Sequence, residues 1–158
     1  LEQKKLYFAV ENRSPYPGPD FMIPFGKAGI RRPGKDVSII TFGIMANKSV
    51  QAAEKLLKDG IEVEVIDLRS LNPVDWETIF TSVKKTGKIV IAHEDTRFCG
   101  YGGEIAAEIT EKCFEYLDAP IVRVTAEETF VPYSPAMEEE VLPQTEDIME
   151  GVKRVVEY

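Results

Sequence analysis

The sequence predicts an α/β domain, a three-layer sandwich built on a mainly parallel sheet. Three observations predict it. β-Branched runs of strand length recur at residues 37–42, 61–66, 88–92 and 121–125. Amphipathic helical patterns separate them, and antiparallel hairpins need no such crossovers. Glycines or capping residues punctuate the joins.

Taken in order, the chain opens on a stretch rich in proline and glycine. Pro15, Pro17, Pro19, Pro24 and Pro33 fall within residues 12–36, a density that blocks helices and central strands. Residues 1–36 therefore read as an interdomain linker and lead-in segment, and residues 37–158 as the domain. Val37–Phe42 is the first strand. A helix over 46–59 presents Ala46, Val50, Ala53 and Leu57 as its apolar stripe, and Gly60 ends it in a left-handed turn. Ile61–Ile66 is the second strand. Asp75 can cap a helix to about Lys85 with Trp76, Ile79, Phe80 and Val83 inward, and Gly87 stops it. Lys88–Ala92 is the third strand. A glycine-rich turn leads into a helix over 102–117 with Ile105, Ile109, Cys113 and Leu117 on one face. Ile121–Thr125 is the fourth strand. Residues 126–143 read as a proline-punctuated loop. Thr145 opens the last helix, with Glu146 and Asp147 in its first turn and Lys153 and Arg154 in its last, an arrangement that suits the helix dipole. Ile148, Val152, Val155 and Val156 form its inner stripe.

The totals narrow the function classes. The chain has 158 residues, 44% hydrophobic and 29% charged, enough for one domain with a full core. The formal net charge is −8. Nucleic acid is thereby disfavoured as a partner, because phosphate binding needs a basic face, and a basic protein partner is favoured. No apolar run reaches the ~20 residues that span a bilayer, so no membrane partner is expected. The two cysteines, Cys99 and Cys113, make neither a disulfide framework nor a zinc spacing, and a reducing compartment fits them. The missing initiator Met leads us to expect a fragment or a processed chain.

Four groups of residues are candidates for chemistry or binding. His93-Glu94-Asp95 pairs the only histidine with two carboxylates, but neighbours in an extended segment point to opposite sides. The plainer reading is a hydrogen-bonded loop at a strand end. Cys99-Gly-Tyr-Gly-Gly-Glu104 precedes a helix whose amides can bind phosphate. Yet position 105 is Ile where a dinucleotide pattern needs its third small residue, so a tight turn that lets the helix approach the sheet is the alternative. Cys113 reads as core, and Cys99 as a more accessible loop thiol. The acidic groups Glu127, Glu128, Glu138, Glu139 and Glu140 read either as a solvated face or as half of a docking surface, with Phe130 and Tyr133 as aromatic anchors.

The most specific stretch is Asp67-Leu-Arg-Ser-Leu-Asn-Pro-Val-Asp75. With it stand Leu1-Glu-Gln-Lys-Lys-Leu-Tyr7, Ile23-Pro-Phe-Gly-Lys-Ala28, His93-Glu94, Gly102-Gly-Glu-Ile-Ala106, Leu117-Asp-Ala-Pro-Ile-Val-Arg-Val-Thr125 and Val131-Pro-Tyr-Ser-Pro135. In this order they resemble the carboxy-terminal domain of the β subunit of a 2-oxoacid dehydrogenase E1 component, within the transketolase superfamily. The resemblance covers nearly the whole chain. Phe130 departs from it, standing where a proline is common, as does Arg97-Phe-Cys99 in the glycine loop. Cys113-Phe114 and Val156-Glu-Tyr158 look closer to the branched-chain enzymes, and Leu142-Pro-Gln144 and Asp147-Ile148 to the pyruvate enzymes, with the lean toward branched-chain substrates.

The resemblance implies a parent oxidoreductase that decarboxylates a 2-oxoacid on thiamine diphosphate and magnesium and passes the acyl group to the disulfide of an E2 lipoyl arm. In that family the cofactor sits between the α subunit and the β subunit's amino-terminal domain. No catalytic, cofactor-binding or metal-binding residue is therefore carried onto this chain, and the piece alone is expected to be inactive. The implied partners are an E1 α subunit, a second β subunit in an α2β2 assembly, and the basic subunit-binding domain of E2. Glu127, Glu128, Phe130 and Tyr158 are the expected docking groups. The compartment would be the bacterial cytoplasm or, in a eukaryote, the mitochondrial matrix. Two alternatives keep the fold: the equivalent domain of a single-chain transketolase or deoxyxylulose phosphate synthase, or a free-standing module that binds a small ligand near His93 and Gly102.

Overall fold

The structure is a computed structural model and describes residues 4–8 and 10–158. Leu1, Glu2 and Gln3, part of the first stretch that carries the resemblance, lie outside the described residues. A short helix α1 (Lys4–Phe8) comes first. Five strands follow: β1 (Gly29–Arg32), β2 (Val37–Thr41), β3 (Val63–Asp67), β4 (Ile89–Thr96) and β5 (Val122–Ala126). The helices among them are α2 (Ile44–Leu56), α3 (Trp76–Thr86), α4 (Gly102–Cys113), α5 (Pro135–Val141) and α6 (Thr145–Val156).

The sheet order is β1-β3-β2-β4-β5. β3, β2, β4 and β5 run parallel and β1 is antiparallel to β3. The three-layer α/β architecture expected from the sequence is the one observed. Strand alternation sorts the core into two faces. Val37, Ile39, Val65, Val90 and Val124 pack under α2 and α6 with Met45, Leu56, Ile148 and Val152. Ile40, Ile66, Ile89 and Ile91 pack under α3 and α4 with Ile79, Val83, Ile105, Ile109 and Cys113. Both faces are covered, so the central strands read as almost unbroken apolar runs.

The sheet starts inside the stretch that the sequence reads as linker. Gly29–Arg32 pairs with β3 and carries a register shift between Ile30 and Arg32, and the Arg32 guanidinium donates to the Val63 carbonyl at 2.7 Å. A proline next to this strand is tolerated because the strand is at the edge. Local signals elsewhere act as anticipated. Asp75 accepts from the Thr78 amide at the start of α3. Gly60 and Gly87 take φ of 82° and 63° at their helix ends.

Two expectations need correcting. Of the expected α2 stripe, Ala46 and Ala53 are buried and Val50 is half-buried against the core, but Met45, Ser49, Ala52 and Leu56 complete the inner face and Leu57 is turned outward. The loop over 126–143 contains α5, which buries no residue. α6 opens at Thr145 as expected, and Gln144 caps it in a reciprocal pair with Asp147 (Gln144 amide to Asp147 carboxylate, 2.6 Å). Gly151 lets α6 settle on the sheet, because a Cβ there would stand 2.7 Å from Val124.

A polar network is buried among β2, β3 and α3. Glu64, 2% exposed, pairs with the Lys85 ammonium and accepts from the Ser82 hydroxyl. Ser38 bonds the Ser82 hydroxyl and, at 2.8 Å, that of Thr86. Every member of the network has a partner, which is the condition for holding a carboxylate in a core.

Candidate functional site

In parallel sheets ligands gather beyond the carboxyl ends of the strands. The Asp67–Asp75 stretch lies there, and its side chains build a loop. Leu68 is fully buried and its amide donates to the Thr41 carbonyl at 2.9 Å. Arg69 sits in the left-handed region at φ 57°, and its amide donates to the Asp67 carboxylate at 3.2 Å, a local turn that such a conformation favours. Asn72–Pro73 is cis, and the Ser70 hydroxyl donates to the Pro73 carbonyl at 2.7 Å.

Asp75, 4% exposed, does two jobs. It caps α3 and takes the Ala28 amide at 3.0 Å, which ties the lead-in segment to the helix. Burial pushes its carboxyl up, but the bonds from Ala28 and Thr78 and the charge of Lys27 outweigh this and leave it below the ordinary value. For Asp67 burial prevails over the Arg69 amide and the Arg31 and Arg69 charges, and its pKa is raised. The motif thus orders a junction between β1, β3 and α3.

His93 lies inside β4 and is fully buried. Its ring stacks on Phe42 with centroids 6.0 Å apart and planes at 11°. Its Nε2 accepts from the Gly102 amide at 3.1 Å, while Nδ1 has no hydrogen-bond partner. Burial lowers the pKa, and Arg123 adds to this against the opposing Asp95, so the imidazole is neutral with its proton on Nδ1. Asp95 is exposed and Glu94 half-buried, as β4 leaves the core toward its carboxyl end. The three side chains make no relay. A Cβ at Gly102 would overlap the His93 ring, so this glycine serves a close approach of α4 to the sheet. Its amide is already used by His93, and that of Gly103 by the Gly100 carbonyl at 2.9 Å. The turn has no pair of adjacent bare amides at these two positions for a phosphate. Among the described residues no cluster of three His, Cys, Asp or Glu can hold a metal ion. These residues do not fit a magnesium-bound diphosphate.

The expected docking residues divide between two ends of the domain. Glu127, Glu128 and Phe130 follow β5 and stand at its carboxyl end. All three are exposed, and the Glu128 carboxylate accepts from the Phe98 amide at 2.8 Å. Tyr158 follows α6, which runs back against the strands. It borders a shallow depression of about 500 Å³ with Phe114, Leu117, Asp118, Ala119, Pro120 and Ile121, all ahead of β5. The length of β5, roughly 16 Å, separates the two groups. Reasoning along the sequence missed Asp118 and Phe114 as neighbours of Tyr158. The signal was available, since an α/β topology returns the end of a helix to the start of the next-door strand. Cys99 is exposed and Cys113 buried, and burial pushes the Cys113 thiol up, which makes it a core side chain.

Residues 26–148 match the family described as Transketolase, C-terminal domain. The chain is 44% identical over 158 residues to the Pyruvate dehydrogenase E1 component subunit beta of Staphylococcus aureus, and 42% to that of Staphylococcus epidermidis. It covers 48% of each relative, so it spans about half their length. A solved structure of a split gene transketolase, an inactive beta4 tetramer, shares 30% identity and a TM-score of 0.78 over 89% of this chain and 45% of that one. A Pichia stipitis transketolase, at 14% identity and a TM-score of 0.58 over 83% of this chain and 18% of its own, shares the fold.

Proposed function

The chain belongs to the transketolase carboxy-terminal domain family, and from that premise we propose that it is the assembly and docking domain of an E1 β subunit. The parent would be an oxidoreductase, a 2-oxoacid dehydrogenase E1 of α2β2 form in which this domain receives the subunit-binding domain of E2. The whole-chain likeness to the two staphylococcal β subunits supports this. It also supports pyruvate as the substrate. Cys113, one of the residues whose likeness is to the branched-chain enzymes, is a fully buried core side chain. Thiamine diphosphate with magnesium supplies the decarboxylation chemistry of such a parent, and the lipoyl disulfide of E2 is the acceptor. A cytoplasmic setting fits the bacterial relatives, and among the described residues no helix is long and apolar enough to cross a membrane.

One observation carries the docking reading: the depression beside Tyr158 joins an exposed carboxylate, Asp118, to an exposed aromatic, Phe114, 73% exposed. A basic partner needs that pairing, an apolar anchor with a charge at its rim. The Asp118 amide is fixed to the Gly87 carbonyl at 2.8 Å, so the loop bearing the carboxylate is held in place. The Tyr158 carboxylate contributes if the parent chain ends there.

Titration of the assembled α2β2 enzyme with the isolated E2 subunit-binding domain tests this. Asp118→Lys should weaken binding by about tenfold or more and flatten its salt dependence. Charge reversal of Glu127 and Glu128 should leave both unchanged. Unchanged affinity for Asp118→Lys, or a loss on reversing Glu127 and Glu128, would move docking to the other end of the domain and refute the assignment.

A further inference from the structure

The sheet has two outer strands, β1 and β5. Every second residue of an outer strand turns its amide and carbonyl away from the sheet, where they bond water or an added strand. β5 is suited to the second. It reads Val122-Arg-Val-Thr-Ala126, with no proline, and its register against β4 is regular from Val122 to Val124. Its one charged side chain is turned aside. Val122 and Val124 pack into the core under α6, so Arg123 points to the opposite face. There its guanidinium donates to the Arg97 carbonyl at 3.2 Å and lies beside Gly103 of α4. The exposed Arg97 side chain reaches the Arg123 carbonyl at 3.4 Å, a long bond that an incoming amide can replace.

On the α6 side of this edge runs a groove of about 270 Å³, bounded by β5, the end of α5 and α6. The Glu127 amide donates to the Val141 carbonyl at 3.0 Å and holds the end of α5 against the end of β5. Glu127, Glu140, Asp147 and Glu150 line the groove, all exposed, with Arg154 as the one cation on this side. Among the described residues no ion pair engages Glu127, Glu140 or Glu150. A strand added to β5 lays alternate side chains over this groove. Cations at those positions meet carboxylates that lack a counter-charge. A second copy of this chain would bring its own carboxylates against them, and like charge opposes that pairing.

We propose that β5 is a docking edge for an extended, basic segment of a partner protein. The segment adds to the five-stranded sheet as a further strand, with cationic side chains at every second position facing α5 and α6. Backbone bonds supply the affinity and the carboxylates select the sequence. This goes beyond the docking reading: it uses another surface and does not depend on E2.

The probe is a fluorescein-labelled peptide in which lysine alternates with valine. It is titrated into the full-length parent chain in its native assembly and followed by anisotropy. One counterpart carries glutamate for lysine, and another a methyl group on every backbone amide. The lysine peptide should bind, and each counterpart should bind about tenfold more weakly or worse. Hydrogen exchange should slow across Val122–Ala126 when the lysine peptide is bound. Glu140→Lys combined with Glu150→Lys, both at exposed positions, should weaken binding by about tenfold or more. No binding by the lysine peptide overturns the proposal. Equal binding of the methylated peptide also overturns it, by reducing the site to surface charge, as does unchanged exchange in β5. Binding that appears only after the assembly is dissociated rules out a separate partner, because another subunit then holds the edge. E2 is absent throughout, so failure here leaves the docking assignment beside Tyr158 standing.

Discussion

Two buried polar clusters sit on the same face of the sheet, under α3 and α4, and they are solved in opposite ways. Around Glu64 every polar group is a side chain that can turn to meet its neighbour, and the lysine stem lets the ammonium reach both the carboxylate and solvent, with Lys85 43% exposed. Around His93 the partners are rigid: a backbone amide, a stacked phenyl ring and two glycines. The ring satisfies one nitrogen and strands the other. Flexible partners saturate a buried charge, whereas a rigid cradle fixes a neutral ring at the cost of an orphan donor, about 1–3 kcal/mol. The first cluster should therefore be sensitive to loss of a partner, and the second to loss of space and to protons.

Lys85→Met should have the largest effect. It leaves the Glu64 carboxylate in the core without its cation and should cost about 3 kcal/mol in urea unfolding. Adding Glu64→Gln should recover most of the loss, because the fault is an unpaired charge and not a cavity. A cost below about 1 kcal/mol would mean that Glu64 tolerates isolation, and the contrast would collapse.

Gly102→Ala comes next. The new methyl overlaps the imidazole, and neither the strand nor the helix start can yield easily, so about 2 kcal/mol is expected. Shrinking the ring in the same chain, His93→Ala with Gly102→Ala, should cost clearly less than the sum of the single losses. Additive losses would place the strain elsewhere than between these two residues.

His93→Phe should have the smallest effect at pH 8, within about 1 kcal/mol. It keeps the stacked ring, removes the orphan Nδ1 proton and forfeits one acceptor. Its signature is in the pH dependence. The folded pKa lies below the ordinary 6.5, so on acidification the unfolded chain binds a proton before the folded one does. Stability is then fully present above about 6.5 and falls as pH drops toward the lower folded value. The His93→Phe chain should lose that part of the acid sensitivity. A variant with an unchanged pH profile would show that His93 does not titrate differently on folding.

Local chemistry was legible in the sequence. Asp75, Gly60 and Gly87 announce their turns because the conformations they support are set within a few residues. The strand and helix succession follows from the same scale. β1 escaped because Gly29–Arg32 has one β-branched residue, and its pairing partner is more than thirty positions away. α5 escaped because a helix that buries nothing shows no apolar stripe, although Pro135 at its start is a fair signal. The α2 stripe was misread because it runs through Ser49, a buried hydroxyl that apolar periodicity skips. The candidate site was half legible. Tyr158 and the acidic groups were picked by residue type alone, and only the antiparallel return of α6 shows that Asp118, and not Glu127, stands beside Tyr158.

The irregular edge strand β1 has a further consequence, for solubility. A sheet of four parallel apolar strands would otherwise end on β3, whose open amides and carbonyls would template the strand of another molecule. β1 covers that edge and then offers a poor edge itself. It is four residues long, its register breaks between Ile30 and Arg32, two adjacent arginines occupy it, and Pro33 follows. An incoming strand meets a kink, positive charge and a missing donor in quick succession. Repairing the kink and exchanging Arg31 and Arg32 for threonine should leave the fold in place and make it prone to fibrous association.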